Sequence, residues 1–457
     1  MKGNRIKKNV NFDIPDKIKE IMLILEKNGY KAYMIGGSVR DLLVGKEPAD
    51  FDIATNAKPD SIEAVFSNFK TLDIGKKHGT ITVFIDKESV EITTFRKESD
   101  YSDKRRPDQV IFTDTLKEDV KRRDFKMNTI AVDIYGNIID YEKGIQDLKN
   151  KIISCVGDPI KRFDEDGLRI IRAIRFEAQL GYPLEIKTEK AVHERKENLK
   201  FIAAERIRDE FSKILISEGA VNVLRKYRDV IAVFIPEIAE TFDFDQKNPY
   251  HCYDVYEHIL HAINNTPKDE EIRLAVFLHD IGKPRCFVIK KGWGHFYGHE
   301  KISSEIAEDI MKRLKYPAKT IEEVKNAIKV HGTVFELNEK YARKKINKLG
   351  EDVLKLLINM EKADVLAQDP TVREERAENI DMFSEIVNKV ILEKQCFRQK
   401  DMKINGEDLI KEGFVQGKFL GDTKKFLLGK IISGEIENNR EILIKEARKI
   451  LEAKNIK

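Results

Sequence analysis

The sequence predicts an α+β protein in which a small head with a mixed β-sheet precedes a long all-helical body. Three observations predict it. The first third carries short β-like runs closed by turns: Tyr33-Met34-Ile35 runs into Gly36-Gly37, and the stretches 80–85 and 90–95 flank a polar turn and read as a hairpin. Beyond Asp158-Pro159 the texture changes, with Leu168, Ile171, Ile174 and Phe176 recurring at helical spacing and most later segments doing the same. The length, 457 residues, is too great for one core.

In chain order, a further strand is expected over 130–134, then a turn at Gly136-Asn137 and a short run over 138–140. The break near Gly157 closes a head over 12–157. An all-α neck, 158–236, ends near Phe234-Ile235-Pro236-Glu237. A histidine-rich helical middle follows over 237–370, and beyond Asp369-Pro370 a charge-laced helical tail runs over 371–457.

Composition narrows the class. Hydrophobic residues make up 41% and charged residues 35%, mixed in sign, which describes a folded protein and excludes a disordered one. A net charge of +4 permits nucleic-acid binding without arguing for it. Cys155, Cys252, Cys286 and Cys396 lie far apart with no C-x-x-C pair, so reduced thiols in a cytoplasm are expected. The first ten residues hold lysines but no apolar core, and no apolar run reaches membrane-spanning length, so no membrane partner is expected.

The sharpest constellation is Gly36-Gly37-Ser38-Val39-Arg40-Asp41 followed by Asp50-Phe51-Asp52. A strand that ends in two glycines and turns into a helix exposes backbone N–H groups at a positive dipole end. That arrangement holds a triphosphate, and Arg40 can add a charged contact. Within a strand, Asp50 and Asp52 point to the same side. Adjacent carboxylates repel unless a cation sits between them, and Mg²⁺ is the oxygen-seeking cation expected beside phosphates. In a two-metal mechanism one ion activates an attacking 3′-hydroxyl and the other neutralises leaving pyrophosphate. Taken singly, the glycines are an ordinary turn and the aspartates a solvated strand edge. Together, in this order, they point to nucleotidyl transfer. Glu91 is the candidate for a third carboxylate on a neighbouring strand, against its plainer reading as a solvated hairpin residue.

These residues resemble the metal motif of class II tRNA nucleotidyltransferases and bacterial poly(A) polymerases. The likeness continues through Thr93-Thr94-Phe95-Arg96, Arg105-Arg106-Pro107-Asp108 and the run from Glu118 to Thr129. It implies that Arg123, Asp124 and Asn128 contact the ribose and phosphates of the incoming nucleotide. Lys126 stands where the family commonly has Thr, and Thr129 where it has Ala, which puts an unexpected charge near the site. The stretch 98–107, with Tyr101, resembles a flexible loop that enzymes adding only C tend to lack, and favours full CCA addition or A addition.

The run Asp164-Glu165-Asp166-Gly167-Leu168-Arg169 bears on base choice. On a helix Asp166 and Arg169 share a face, and Glu165, four before Arg169, can hold it in position. Cytosine and adenine each present an exocyclic amine donor beside a ring-nitrogen acceptor; uracil and guanine present the reverse. One carboxylate with one guanidinium therefore pairs with C and A, and each reversed contact costs roughly 1–3 kcal/mol. Without the head, a surface helix with ordinary ion pairs would be the reading. In the resembling family this Glu-Asp-x-x-Arg element is the protein template. The segment 203–211 matches the family's neck and is expected to brace it.

In the middle, His258, His279-Asp280, His299-Glu300, His331 and Asp364 occur in order on apolar-periodic segments. A lone core histidine is usually structural, but four of the nine histidines and two aspartates share this pattern. Such a set suits Mn, Fe, Ni, Co or Zn. It resembles the HD phosphohydrolase superfamily, which implies a transition metal and hydrolysis of 2′,3′-cyclic or 2′-phosphates on damaged RNA ends. The alternative is a metal that only stabilises a helical platform under tRNA. His251, His261 and His295 fall outside the pattern and read as ordinary. In the tail, 404–409 and 413–418 resemble the C-terminal region of the same HD-fused enzymes, with Lys418 in place of a common proline.

The resemblance as a whole implies addition of C, C and A to the tRNA 3′ end from CTP and ATP, with the acceptor and T arm of tRNA as partner. A poly(A) polymerase or A-adding enzyme would use the same motifs. An idle RNA-binding or signalling protein would not need the Asp pair or Asp166 and Arg169.

Overall fold

The computed structural model describes residues 12–73, 75–86, 88–98, 110–248 and 252–455. The motif 105–108, His251 and all of the expected loop after Glu98 lie outside the described residues. The chain divides into two compact units, Met1–Phe234 and Ile235–Lys457.

The first unit opens with the helix Asp16–Lys27, which buries Ile18, Ile21, Met22 and Leu25 along one stripe. Its strands are β1 (Ala32–Ile35), β2 (Phe51–Thr55), β3 (Lys70–Leu72), β4 (Thr80–Ile85), β5 (Glu88–Thr94), β6 (Arg96–Glu98), β7 (Val110–Phe112), β8 (Ala131–Val132) and β9 (Ile138–Ile139). A seven-stranded mixed sheet runs β3-β4-β5-β2-β1-β8-β9, and β6 with β7 forms a separate ladder. β2 and β5 are parallel; the other pairs are antiparallel. Period-two patterning buries Ile81, Val83 and Ile85 of β4. The strand expected over 130–134 pairs only at Ala131–Val132. Asp133 ends it, because its Oδ1 accepts from the backbone of Tyr135 and Asn137 and folds the chain into a tight turn.

Head and neck share this unit. Phe176 of the helix Leu168–Leu180 packs edge-on against Phe125 at 5.5 Å. The continuous helix expected to carry both Asp166 and Arg169 is interrupted: one helix ends at Glu165 and the next starts at Leu168. Asp166 is extended (φ −140°, ψ 106°), and its Oδ1 accepts from Leu168 N at 3.0 Å. Gly167 fits the gap because a Cβ there would lie 2.7 Å from the Asn198 carbonyl oxygen.

In the second unit the helices Val255–Asn264, Glu270–Leu278, Ala318–Lys329 and Glu351–Leu366 pack together. Asp254 and Asp269 cap the first two of them. A hairpin, Val288–Lys290 with Trp293–His295, was not expected from the helical texture. Its turn residues Lys291 and Gly292 both take positive φ (53° and 83°), as a two-residue hairpin turn requires. The expected boundary at 370/371 falls at the start of the 23-residue helix Pro370–Leu392, which packs on Glu351–Leu366. The tail's own apolar cluster begins later, at Cys396, and includes Leu409, Leu427 and Leu443. Among the described residues, no helix is long and apolar enough to cross a membrane.

Candidate functional site

In the first unit, Gly36 (φ 89°) ends β1 and starts the short helix Gly37–Leu43. Strand register sets Ile35 opposite Asp52, and Asp52 beside Glu91 on the parallel β5. A Cβ on Gly36 would lie 3.1 Å from Asp52 Oδ2 and 3.5 Å from Arg123 Nη1. The glycine turn, a carboxylate and a guanidinium thus converge on one point, where only glycine has both the room and the backbone freedom. Asp50 lies one residue ahead of β2 and is exposed, while Asp52 is half-buried.

Burial, reinforced by the negative charges of Asp50 and Glu91, pushes the Asp52 carboxyl up to about 6, although Arg123 opposes it. The carboxylates of Asp52 and of Asp50 two residues ahead offer the hard oxygen donors that Mg²⁺ takes. A cation requires ionised Asp52, so below about pH 6 a proton competes for the same oxygens. Apparent Mg²⁺ affinity is therefore expected to fall about tenfold per pH unit there and to level off above it. Mg²⁺ titrations of nucleotide addition from about pH 5 to about pH 7.5 check this; a constant midpoint contradicts it.

Around the turn, Arg40 is buried and donates to Asp41 from Nε (2.8 Å) and Nη2 (2.9 Å), and to Asn128 Oδ1 from Nη1 (2.9 Å). Asn128 Nδ2 donates to Asp124 Oδ1 at 3.1 Å, and Arg172 donates to Asp124 Oδ2 from Nε (2.9 Å) and Nη2 (2.6 Å). Burial alone would raise the Asp124 carboxyl; Arg172 and the hydrogen bonds to it override burial and hold it well below the usual range. Arg123 bonds Asp119 at 3.4 Å and the Asn128 carbonyl at 3.5 Å. Ser38 is buried and donates to the Ile35 carbonyl at 3.3 Å; Gly37 lies against the Arg40 guanidinium. The structure thus brings Gly36, Gly37, Arg40, Arg123, Asp124 and Asn128 together. Ser38 and Arg40 spend polar atoms on protein partners rather than reaching outward. Thr129, an unexpected residue by family pattern, is buried with its hydroxyl on the Lys126 carbonyl at 2.7 Å.

Sequence reasoning missed Arg172. Its partner Asp124 lies 48 residues away, and no local pattern joins them.

Arg169 is buried. Its Nη1 donates to Glu165 Oε2 (2.6 Å) and the Arg162 carbonyl (3.1 Å), and its Nη2 to the Arg122 carbonyl (2.9 Å). Glu165 therefore holds Arg169 across the helix break. Asp166 Oδ2 receives Arg206 at 3.4 Å, so the neck segment 203–211 reaches this motif.

In the second unit, His258, His279, Asp280 and Asp364 offer ligand atoms within 4.8 Å of one another, as do Asp280, His299 and His331. Asp280 is shared. His258 Nε2 lies 2.7 Å from Asp364 Oδ1, and the Nε2 atoms of His299 and His331 are 3.0 Å apart. Backbone carbonyls of Val276, Phe296 and Ile328 take Nδ1 of His279, His299 and His331 at 2.7, 2.8 and 2.5 Å. That leaves each Nε2 for the cluster, the orientation a metal-binding imidazole needs. His279 Nε2 is buried and makes no hydrogen bond of normal geometry, while buried Asp280 Oδ2 is paired with Lys283 Nζ at 2.7 Å. Burial would lower the His279 imidazolium, but the Asp280 and Asp364 charges win and raise it to about 10. Convergent imidazole and carboxylate donors, with His279 Nε2 left without a hydrogen bond, fit a divalent transition metal.

A cavity of about 340 Å³ opens beside the cluster, lined by Asp280, His299, His331 and Asp364 together with Lys283, Tyr297 and Arg376 among others. His295, expected to be ordinary, also lines it, whereas His261 stacks on Tyr253 at 3.9 Å as a structural histidine would.

Known proteins resemble this chain along its length. Residues 32–154 match the family model described as Poly A polymerase head domain, and 181–241 that of the probable RNA and SrmB-binding site of polymerase A. Residues 289–447 match a putative tRNA nucleotidyltransferase domain 2. The chain is 34% identical to a CCA-adding enzyme of Ligilactobacillus salivarius, over 97% of this chain and 99% of that protein. Against the CCA-adding enzyme of Lactobacillus helveticus identity is 47%, but the match spans 50% of this chain and 57% of that protein. The crystal structure of Bacillus stearothermophilus CCA-adding enzyme in complex with CTP superposes with a TM-score of 0.70 at 26% identity, covering 97% and 99% of the two chains. Thermotoga maritima CCA-adding enzyme complexed with tRNA shares the fold at a TM-score of 0.56 and 20% identity, over 96% and 97%. With its head motifs gathered at one glycine turn and relatives matching from end to end, the chain belongs to the CCA-adding enzyme family of nucleotidyltransferases.

Proposed function

We propose that this chain adds C, C and A in turn to the 3′ end of tRNA, using CTP and ATP and no nucleic-acid template. The observation that carries the reading is the convergence of Gly36, Asp52 and Arg123. The tRNA 3′-hydroxyl oxygen forms a bond to the α-phosphorus as the bond to pyrophosphate breaks. Mg²⁺ held by Asp50 and Asp52 supplies charge neutralisation at the reacting phosphates when bound. Arg123, steadied by Asp119, faces the phosphates, and Asp124 with Asn128 orients the ribose. Asp166 and Arg169 read the base edge, with Glu165 as support. The helical neck and tail hold the tRNA. The test offers each nucleotide separately to tRNA ending before C, after C and after CC. CTP should extend the first two and ATP only the last. Repeated ATP addition would make the enzyme a poly(A) polymerase, and use of CC-ended tRNA alone would make it A-adding.

We further infer an HD-type phosphohydrolase at the histidine–aspartate cluster, supported by the convergence of buried imidazole and carboxylate donors and by the adjoining cavity. His258, His279, Asp280 and Asp364 would hold one metal, with His299 and His331 available for a second; Ni, Mn, Co, Fe and Zn suit them. Such a metal supplies activated water near neutral pH when bound. Water opens a 2′,3′-cyclic phosphate by breaking one P–O ester bond, or releases phosphate from a 2′-monoester. With added Ni²⁺, Mn²⁺ or Co²⁺, hydrolysis of 2′,3′-cyclic AMP and 2′-AMP is expected to fall more than about 100-fold in His279→Ala and Asp280→Ala, with CCA addition retained. Turnover that persists in both variants, or none with any metal, would leave the cluster as a structural platform.

A further inference from the structure

We infer that the same cavity carries a nucleotide-recognition subsite, in which Tyr297 receives the base and Arg376 the phosphate of a nucleoside phosphate, free or at an RNA end. This rests on the phosphohydrolase reading and names what that site selects.

Tyr297 is 63% exposed, and its ring lies parallel to His295, with centroids 5.2 Å apart and planes 6° apart. Both residues line the cavity; His295 covers one face of the Tyr297 ring, and Lys290 Nζ lies over the ring 6.0 Å from its centroid. The exposed part of the Tyr297 ring beside a polar cavity suits a base, which every nucleotide presents as a π-surface.

The platform is firmly placed. A Cβ on Gly294 would lie 2.0 Å from the Gln246 carbonyl oxygen, so the hairpin strand rests directly on that backbone. Gly294 N donates to the Lys247 carbonyl at 2.8 Å, and Asn248 Nδ2 donates to the Gly294 carbonyl at 3.2 Å. Phe296 packs on Phe287 at 5.4 Å, and its carbonyl takes His299 Nδ1 at 2.8 Å. One short turn therefore sets Tyr297 relative to a candidate metal ligand two residues on.

Arg376 also lines the cavity; it donates to Gln368 Oε1 at 2.6 Å, and Gln368 Nε2 donates to Asp364 Oδ2 at 3.0 Å. The guanidinium is exposed and spends one nitrogen on that relay, and a fork of five N–H donors matches a phosphate. Tyr297 and Arg376 supply the two chemistries of a nucleotide, a ring face and an anion site, around one cavity. Its volume of about 340 Å³ lies within the range of small-ligand pockets.

The chain's single tryptophan, Trp293, sits in the same hairpin strand and serves as reporter. Full-length protein is titrated with 2′-AMP, 2′,3′-cyclic AMP, a short RNA ending in a 2′,3′-cyclic phosphate, ribose 5-phosphate and adenosine, reading Trp293 emission. Nucleoside phosphates should give saturable changes. Tyr297→Ala should weaken them roughly ten- to hundredfold while leaving ribose 5-phosphate unchanged. Tyr297→Phe should restore binding, and Arg376→Ala should weaken every phosphate but not adenosine. The RNA and the free nucleotide serve as separate arms, and Tyr297-dependent binding of either supports the subsite. Equal 2′-AMP affinity in wild type and Tyr297→Ala, or no saturable change at all, overturns it. Turnover whose KM for 2′-AMP ignores Tyr297→Ala also overturns the subsite but leaves the hydrolase standing. Tyr297-dependent binding without turnover under any metal does the reverse.

Discussion

Asp52→Ala is expected to reduce nucleotide addition by roughly three orders of magnitude, the rate equivalent of losing several kcal/mol of metal-borne charge stabilisation. Asp50→Ala should fall in the same direction. Binding of tRNA should survive both changes, because contacts to the phosphate backbone hold the RNA independently of the carboxylates. Single-turnover addition to tRNA, alongside filter binding of the same tRNA, separates the two effects. Wild-type incorporation by either variant would remove the aspartates from the chemistry. The fold argues that loss at Asp52 is specific: it pairs with Ile35 and Glu91 through backbone register, which a side-chain truncation leaves in place.

The second large effect is expected at the proposed base-reading motif. Arg169→Ala removes bonds to Glu165 and to the carbonyls of Arg162 and Arg122, so it should also lower stability by about 1–3 kcal/mol. Asp166→Asn is the cleaner variant, since an amide oxygen can still accept from Leu168 N while the carboxylate is lost. Selection of CTP and ATP over UTP and GTP should relax roughly ten- to hundredfold in both. Full fidelity in both, with folding checked by thermal melting, would return the motif to an ordinary ion pair.

Much of this arrangement is legible in the sequence because its signals are local. A glycine pair after a strand and aspartates two apart depend on backbone geometry within a few residues, whereas the histidines of the second unit were legible only through their resemblance to a known order. The hairpin of β4 and β5 follows from alternation, and the helices after Phe163 from their apolar period. What was not legible depends on distant partners. The helix break at Asp166 needs glycine next to it, because the Asn198 carbonyl occupies the space a side chain at 167 would need. Arg172 bonds Asp124 across 48 residues, and no local period links the two. The hairpin that precedes Tyr297 did leave a trace, Val288-Ile289 followed by Lys291-Gly292. In a histidine-rich helical region that turn signal was outweighed by the surrounding period.

The most direct test of the central claim is to give the protein a tRNA lacking its last three nucleotides, all four nucleoside triphosphates together and Mg²⁺, and to sequence the RNA 3′ ends. One protein-templated site that adds C, C and A predicts a single dominant product extended by CCA, with U and G absent and growth ceasing there. A ladder of A residues, a product extended only when CC is already present, or U and G entering as readily as C and A would contradict it.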